Sequence, residues 1–326
     1  MVKIIIGKED SAMMTSMRKT FTASLYATMA ISFWGISFVS TKAVLDKLDP
    51  FTLLVMRFGI GALFLMILLV LKRERFSISI KYIPHLLVLG ILGVFVHQVL
   101  QASALLTIDA SAAGWLISFS PIFTVFLSML FLHEKMTLSR AIGMILAVVG
   151  VFMITSARSG QPFTLTLNIG FILMILSTLN WAIYSILLRG LRIPYPALVI
   201  TFYMSFIGFV LTTPFFIKNK GWVSLPLLNA GEWAHLLFLG IFVSGIAYWY
   251  WGKAHEVMVA SKVSMFLYLE PITTLLAALT LLHEKINVTS VFGGVIIIVG
   301  VVIVNGQLLP SLLRHISAWF FIKTKE

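Results

Sequence analysis

The sequence predicts an all-α integral membrane protein with ten transmembrane helices arranged as two inverted five-helix repeats. Three observations predict it. The 326 residues are 60% hydrophobic and 11% charged, with a mean hydropathy of +1.02. Soluble domains are ~45–50% apolar and ~25% charged. The apolar residues gather into runs of the length a bilayer demands, about 20 residues for a core of ~30 Å. The chain also repeats itself at a fixed offset of 150 residues, with five runs in each copy. A soluble globular fold and a disordered chain are both excluded. With no cysteine there is no disulfide, thiol catalysis or thiolate metal site.

The runs follow one another between charged or turn-forming residues. The first, 21–44, follows Arg18 and Lys19 and ends around Lys42. The second, 50–71, lies between Lys47 and Lys72–Arg73, and the third, 82–105, follows Lys81. The fourth, 111–132, stops before Lys135, and the fifth, 139–156, opens with Ser139 and Arg140 and stops before Arg158. The sixth, 168–189, ends at Arg189. The seventh, 197–217, lies between Arg192 and Lys218, and the eighth, 233–254, closes at Lys253. The ninth, 261–282, runs from Lys262 towards Lys285, and the tenth, 287–306, follows Lys285. Connections are too short for a soluble domain. This divides the chain into a lead (1–20), a first repeat (21–157), a second repeat (166–306) and a tail (307–326). In the tail Leu309, Leu312, Leu313, Ile316 and Phe320 recur at helical spacing among basic residues, the pattern of an interfacial helix.

Lysine and arginine set the orientation. The lead, the tail and the loops after even-numbered spans hold seventeen of them, and the loops after odd-numbered spans hold six. Both termini are therefore expected in the cytoplasm, with the chain in the cell membrane. The net charge of +12 and the pI near 10.0 read as a topology signal, not as a nucleic-acid signal. The N-terminal run is longer than a signal-peptide core and lacks a small-residue cleavage site, so no secretory signal is read.

The repeat is ungapped from residue 85 to 150. His85-Leu86-Leu87 and Leu89-Gly90-Ile91 recur as His235-Leu236-Leu237 and Leu239-Gly240-Ile241. Ala110-Ser111, Pro121-Ile122 and Leu132-His133-Glu134-Lys135 recur as Ala260-Ser261, Pro271-Ile272 and Leu282-His283-Glu284-Lys285. Gly143 and Gly150 recur as Gly293 and Gly300, and Trp34 pairs with Trp181 at an offset of 147. Five spans is an odd number, so the second copy enters the membrane from the opposite side. Such a pair has two nearly equivalent states, the basis of alternating access, with the binding site near mid-membrane between the copies.

Trp34-Gly35, Arg57-Phe58, and the two Pro-to-Leu-His-Glu-Lys segments, each followed by a glycine-rich helix ending in Gly150-Val151 or Gly300-Val301, carry a family resemblance. Across 21–306 the chain resembles a ten-span, EamA-type member of the drug/metabolite transporter superfamily. The resemblance implies movement of small metabolites, often amino acids, without ATP. The sequence agrees in having no phosphate-binding Gly-x4-Gly-Lys-Ser/Thr loop. No cofactor or metal is expected. The expected partners are a small-molecule substrate, the lipid bilayer and, as a candidate coupling ion, protons; monomer and homodimer stay open.

Glu270 lies about mid-way along the ninth span, where a charge costs ~2.5–3.5 kcal/mol on insertion scales. It must face a cavity, have a partner or carry a proton. Proton coupling, a substrate-amine contact and a structural carboxyl beside Pro271 all stand as readings; the repeat equivalent is Ser120. Pro121 and Pro271 are expected as mid-span kinks that leave the carbonyls of Ile117 and Leu267 without their usual partners. The candidate substrate pocket gathers Trp34, Ser37, Gln98, Gln101, Trp115, Ser118, Asn180, Tyr184, Tyr248 and Tyr268. Gln98 and Tyr248 fall in repeat register, as do Gln101 and Trp251. An aromatic belt at the membrane surface competes for Tyr248–Trp251. His97 reads as a packed histidine. Arg57, inside the second span, can snorkel outward or pair with Asp46, Asp49 or Glu284; structural pairing is favoured over binding a substrate carboxylate. Glu134 and Glu284 read as matched contacts at helix ends, and the paired glycines as close helix packing.

The favoured function is a secondary exporter of amino acids or related metabolites, working by alternating access. A passive channel or uniporter is the alternative. An intramembrane enzyme is a weaker one: His133-Glu134 has no second histidine to complete a zinc motif, and no Gly-x-Ser-x-Gly turn occurs. No catalytic residue is read.

Overall fold

The computed structural model describes residues 2–74, 76–108, 110–117, 119–159, 169–282 and 288–304. Among these there is no strand. The helices are α1 (Val2–Leu45), α2 (Pro50–Leu71), α3 (Ile80–Leu105), α4 (Ala110–Ile117), α5 (Ser120–Phe131) and α6 (Leu138–Ser159). They continue as α7 (Ile169–Gly190), α8 (Ala197–Lys218), α9 (Ala230–Val257), α10 (Ala260–Ser264), α11 (Glu270–Leu282) and α12 (Val288–Val304). Six are long and apolar enough to cross a bilayer: α1 over Met17–Leu45, α2, α3, α7, α8 and α9. The first helix begins at Val2 and so includes the lead. The tail lies outside the described residues.

Helix starts follow from local chemistry. Asp49 accepts from the Phe51 and Thr52 amides at 3.0 and 3.3 Å, with Pro50 in the first turn of α2. Asn229 and Glu232 form a reciprocal capping box on α9. Glu134 accepts from the Ala260 amide at 3.2 Å and from the Ser261 hydroxyl, placing a carboxylate at the start of α10. The repeated Leu-His-Glu-Lys motif is thus a helix-terminus contact at Glu134; Glu284 lies outside the described residues.

The spans expected at 111–132 and 261–282 are not continuous helices. The first is divided between α4 and α5, with Phe119 in a turn and Pro121 in the first turn of α5. The second passes through a tightened turn, Met265–Leu269, before α11 begins with Glu270 and Pro271. Proline lacks an N–H, so it is tolerated where a helix begins rather than within one. The expected open carbonyl at Leu267 is accordingly corrected: it accepts the Glu270 N–H.

Both α3 and α9 widen to π-helical turns, at Ile91–Val96 and Leu239–Ala247, which overlap at the repeat offset. α1 packs on α9 and α11, α2 on α8 and α9, α3 on α7 and α8, and α6 on α12. The α1–α9 pair is antiparallel: Ser24 lies 3.8 Å from the Met258 sulfur at one end, and Ser40 lies 3.1 Å from His235 at the other. Large apolar side chains such as Leu63, Ile67, Phe126, Phe206 and Val210 face outward, as a lipid-solvated surface requires.

Candidate functional site

The centre of the bundle is aromatic and polar. Trp34 of α1 meets Trp181 of α7 edge-on at 5.0 Å and Tyr248 of α9 at 5.3 Å. Trp251, one turn further along α9, closes on Trp34 at 5.2 Å. Tyr248 and Trp251 are buried at the centre, whereas Trp249 is half-buried against the separate cluster of Leu65, Leu69, Leu198 and Val199, with Lys72 over its ring at 5.0 Å. The stretch is therefore split between two faces of α9.

A small pocket opens at this cluster, lined by Trp34, Ser37, Gln98, Gln101, Tyr248 and Glu270 together with Arg57, His97 and Trp181. Ile117 and Leu267 also line it, so both helix interruptions border the pocket. The repeat-register pair Gln98 and Tyr248 is in contact: Gln98 Nε2 donates to the Tyr248 hydroxyl at 3.1 Å. That hydroxyl donates to the Gly93 carbonyl at 2.9 Å. The π-turns supply further acceptors. Asn180 Nδ2 donates to the Leu92 carbonyl at 2.6 Å, and Trp34 Nε1 donates to the Val243 carbonyl at 3.4 Å. A widened turn displaces carbonyls from the regular ladder and lets side chains reach them.

Arg57 is the main correction. It is 2% exposed and pairs with neither Asp46 nor Asp49. Asp49 instead caps α2 and accepts from Asn219 Nδ2 at 3.1 Å. Arg57 Nε donates to Ser244 Oγ and Nη1 donates to Gln98 Oε1, both at 2.8 Å. Its partners are neutral. Across the pocket, Glu270 is 3% exposed and its Oε2 has no hydrogen-bond partner among the described residues. The repeat-equivalent Ser120 is satisfied, donating to the Thr178 carbonyl at 3.3 Å. His97 packs as expected but also lines the pocket. Its Nδ1 lies 2.8 Å from the Ser177 hydroxyl and 3.2 Å from the Ser177 carbonyl.

Three expected pocket residues are elsewhere. Asn180 binds the π-turn, Tyr268 is fully buried with an unpartnered hydroxyl, and Tyr184 lines a second cavity. The Trp115 side chain and Ser118 lie outside the description. Arg57, His97 and Trp181 line the pocket too, although the sequence favoured a structural pairing for Arg57 and a packed role for His97. Their signal was a polar or aromatic group deep in an apolar span without an obvious partner in the same span. Among the described residues no cluster of His, Cys, Asp or Glu could hold a metal.

The second cavity is large, about 820 Å³, in the range of small-molecule sites. It enters between the ends of α5, α7 and α9 and the start of α8, past Glu134, Arg189, Arg192, His255 and Glu256. Tyr248 borders both this vestibule and the central pocket. The central pocket, at about 20 Å³, has room for about one water. The opposite end is latched. Lys42 donates to the Leu105 and Ile108 carbonyls at 2.9 and 3.1 Å, and Lys47 pairs with Glu232 at 3.0 Å.

A multi-pass helical bundle with a solute-sized cavity beside a polar centre has the build of a membrane transporter. The chain belongs to the EamA-like transporter family, whose profile matches residues 21–156 and 168–306. An "Uncharacterized transporter" of Archaeoglobus fulgidus is 31% identical over 280 residues, covering 85% of this chain and 96% of its own. The "Uncharacterized transporter YyaM" of Bacillus subtilis is 26% identical over 280 residues, covering 84% and 90%. One solved crystal structure of a protein is similar in fold, with a TM-score of 0.72 at 21% identity over 89% of this chain and 98% of that one.

Proposed function

We propose that the chain is a secondary exporter of small organic metabolites, of the amino-acid type, working by alternating access between two inverted five-span repeats in the cell membrane. Both termini face the cytoplasm in this reading. The observation that carries it is the central pocket. Repeat-register residues from the two halves, Gln98 and Tyr248, hydrogen-bond to each other there, beside Arg57 and Glu270. A vestibule at one end shares the Tyr248 wall with that pocket, while lysine contacts tie the other end. The positive-inside bias puts the open end, with Arg189 and Arg192, in the cytoplasm. The cavity then corresponds to a state that loads from inside, as an exporter requires.

Further support is the reciprocal packing of α6 and α12. A Cβ on Gly150 would meet the Gly293 carbonyl, and one on Gly300 would meet the Gly143 carbonyl. The partnerless Glu270 carboxyl is the coupling group in this reading, exchanging a proton as water access changes. The test is flux from proteoliposomes carrying the full chain and loaded with an amino-acid panel. Saturable release that is accelerated by solute on the opposite side is expected. Release that rises without saturation would replace the carrier by a channel.

A further inference from the structure

Arg57 is a buried charge that the fold leaves without a counter-charge among the described residues. A guanidinium taken out of water normally has its desolvation offset by an opposite charge. Arg57 has none within ion-pair distance among the described residues, although it is 2% exposed. A guanidinium has five N–H donors. Two go to neutral oxygens, Ser244 Oγ and Gln98 Oε1, at 2.8 Å each. These bonds come from α9 and α3 and hold the guanidinium plane between them. Nη2 has no protein partner among the described residues, and Arg57 lines the central pocket.

A fixed, planar, positively charged fork matches a group with two coplanar oxygens. The rest of the pocket narrows the choice. Its walls include Trp34, Trp181 and Tyr248, so the medium is of low polarity and strengthens a charged contact. The Glu270 carboxyl lines the same pocket and opposes a second negative charge. A phosphate dianion is disfavoured on that ground, and a monocarboxylate is favoured. The path also fits. A solute in the vestibule meets Tyr248, which holds Gln98, which in turn occupies Arg57. Moving Tyr248 loosens Gln98 and offers the guanidinium to the incoming group.

We propose that Arg57 is the carboxylate anchor of the central pocket and the residue that sets the substrate class, so that transported solutes carry a carboxylate. The inference rests on the transporter reading above. The experiment loads proteoliposomes of the full chain with equal concentrations of α-amino acids, their carboxamides, simple primary amines and neutral sugars, and follows release by mass spectrometry. Every solute released by the protein should carry a carboxylate, with each carboxamide at least about ten-fold slower than its parent acid. Arg57→Lys keeps the charge and loses the fork. It should slow carboxylate release by about ten-fold or more and bring the acid-to-amide ratio towards one, with tryptophan-monitored unfolding as a check on the fold. If that variant does not fold, the acid-to-amide comparison on the unaltered protein decides alone. Amides or sugars released as fast as acids would overturn the anchor while leaving the transporter reading intact. Release of no solute at all would overturn the transporter reading, and the anchor with it.

Discussion

Replacing Gly150 or Gly300 by alanine should destabilise the protein, and by similar amounts. A Cβ at Gly150 would lie 2.5 Å from the Gly293 carbonyl oxygen and 3.0 Å from the Ile297 amide nitrogen. At Gly300 it would lie 2.6 Å from the Gly143 carbonyl oxygen and 3.1 Å from the Ala147 amide nitrogen. Ile297 Cγ1, 2.6 Å from the Gly150 Cβ, can turn away, but the carbonyl and amide obstacles are backbone atoms that no rotamer change relieves, so the two helices must separate. Overpacking of this kind costs about 1–3 kcal/mol, and backbone obstruction belongs in the upper half of that range. Alanine returns up to ~1 kcal/mol of helix propensity. The expected net loss is therefore about 1–2 kcal/mol per site. Gly294 is the internal control, because its Cβ would meet nothing nearer than 3.9 Å. Gly294→Ala should be neutral or slightly stabilising. The assay is unfolding in mixed micelles by titration with a denaturing detergent, followed by tryptophan fluorescence. The double variant should lose less than the sum, because a helix pair already forced apart gives way more easily at its second contact. Gly150→Ala unfolding at the same midpoint as Gly294→Ala would refute the close-packing argument.

Glu270→Gln should remove any dependence of transport on an imposed pH gradient while membrane insertion persists; retained dependence would move the coupling group elsewhere. Lys135→Cys and Lys285→Cys, in a chain without native cysteine, should label with an impermeant thiol reagent from opposite sides, and labelling from one side would break the inverted topology. Gln98→Ala should slow transport by about ten-fold at near-normal membrane abundance, because it unties Arg57 from Tyr248. Tyr268→Ala should instead lower stability by about 3–5 kcal/mol, since the ring is fully buried outside the pocket; stability near that of the unaltered protein would count against this placement. Glu134→Ala should cost about 1 kcal/mol through loss of the α10 cap, read in the same unfolding assay.

Bilayer thickness made much of the fold legible, because it forces apolar runs of a set length between charges. The correspondence of Gln98 and Tyr248 was legible from repeat register, but that the two touch is seen only in the structure. Rotation about each helix axis was not legible. An apolar helix surrounded by protein on one side and lipid on the other carries no polar stripe to orient it. Tyr268 and Asn180 have the chemistry of pocket residues, yet one is turned into the core and the other towards the Leu92 carbonyl. Arg57 shows the same limit. Its charge and depth were visible, but the choice between Asp49 and Gln98 as partner depends on distances between spans. Asp49 was already committed to the start of its own helix.

The parts that recur at the repeat offset are those that shape the backbone. They are the π-turns of α3 and α9, the prolines that open α5 and α11, and the glycines that seat α6 on α12. The chemically loaded positions differ. Glu270 answers Ser120, Tyr248 answers Gln98, and Ser120 is hydrogen-bonded where Glu270 is not. A scaffold of two like halves can rock between two like states at little difference in energy. A solute and a coupling ion, however, need one defined set of charges whichever side the pocket faces. Repeating Glu270 in both halves would bury two carboxyls against each other, and like charges that close cannot both ionise. Placing the guanidinium in α2 and the carboxyl in α11 leaves the pocket with one of each, and in the proposed reading a bound solute, rather than the protein, completes the charge pairing.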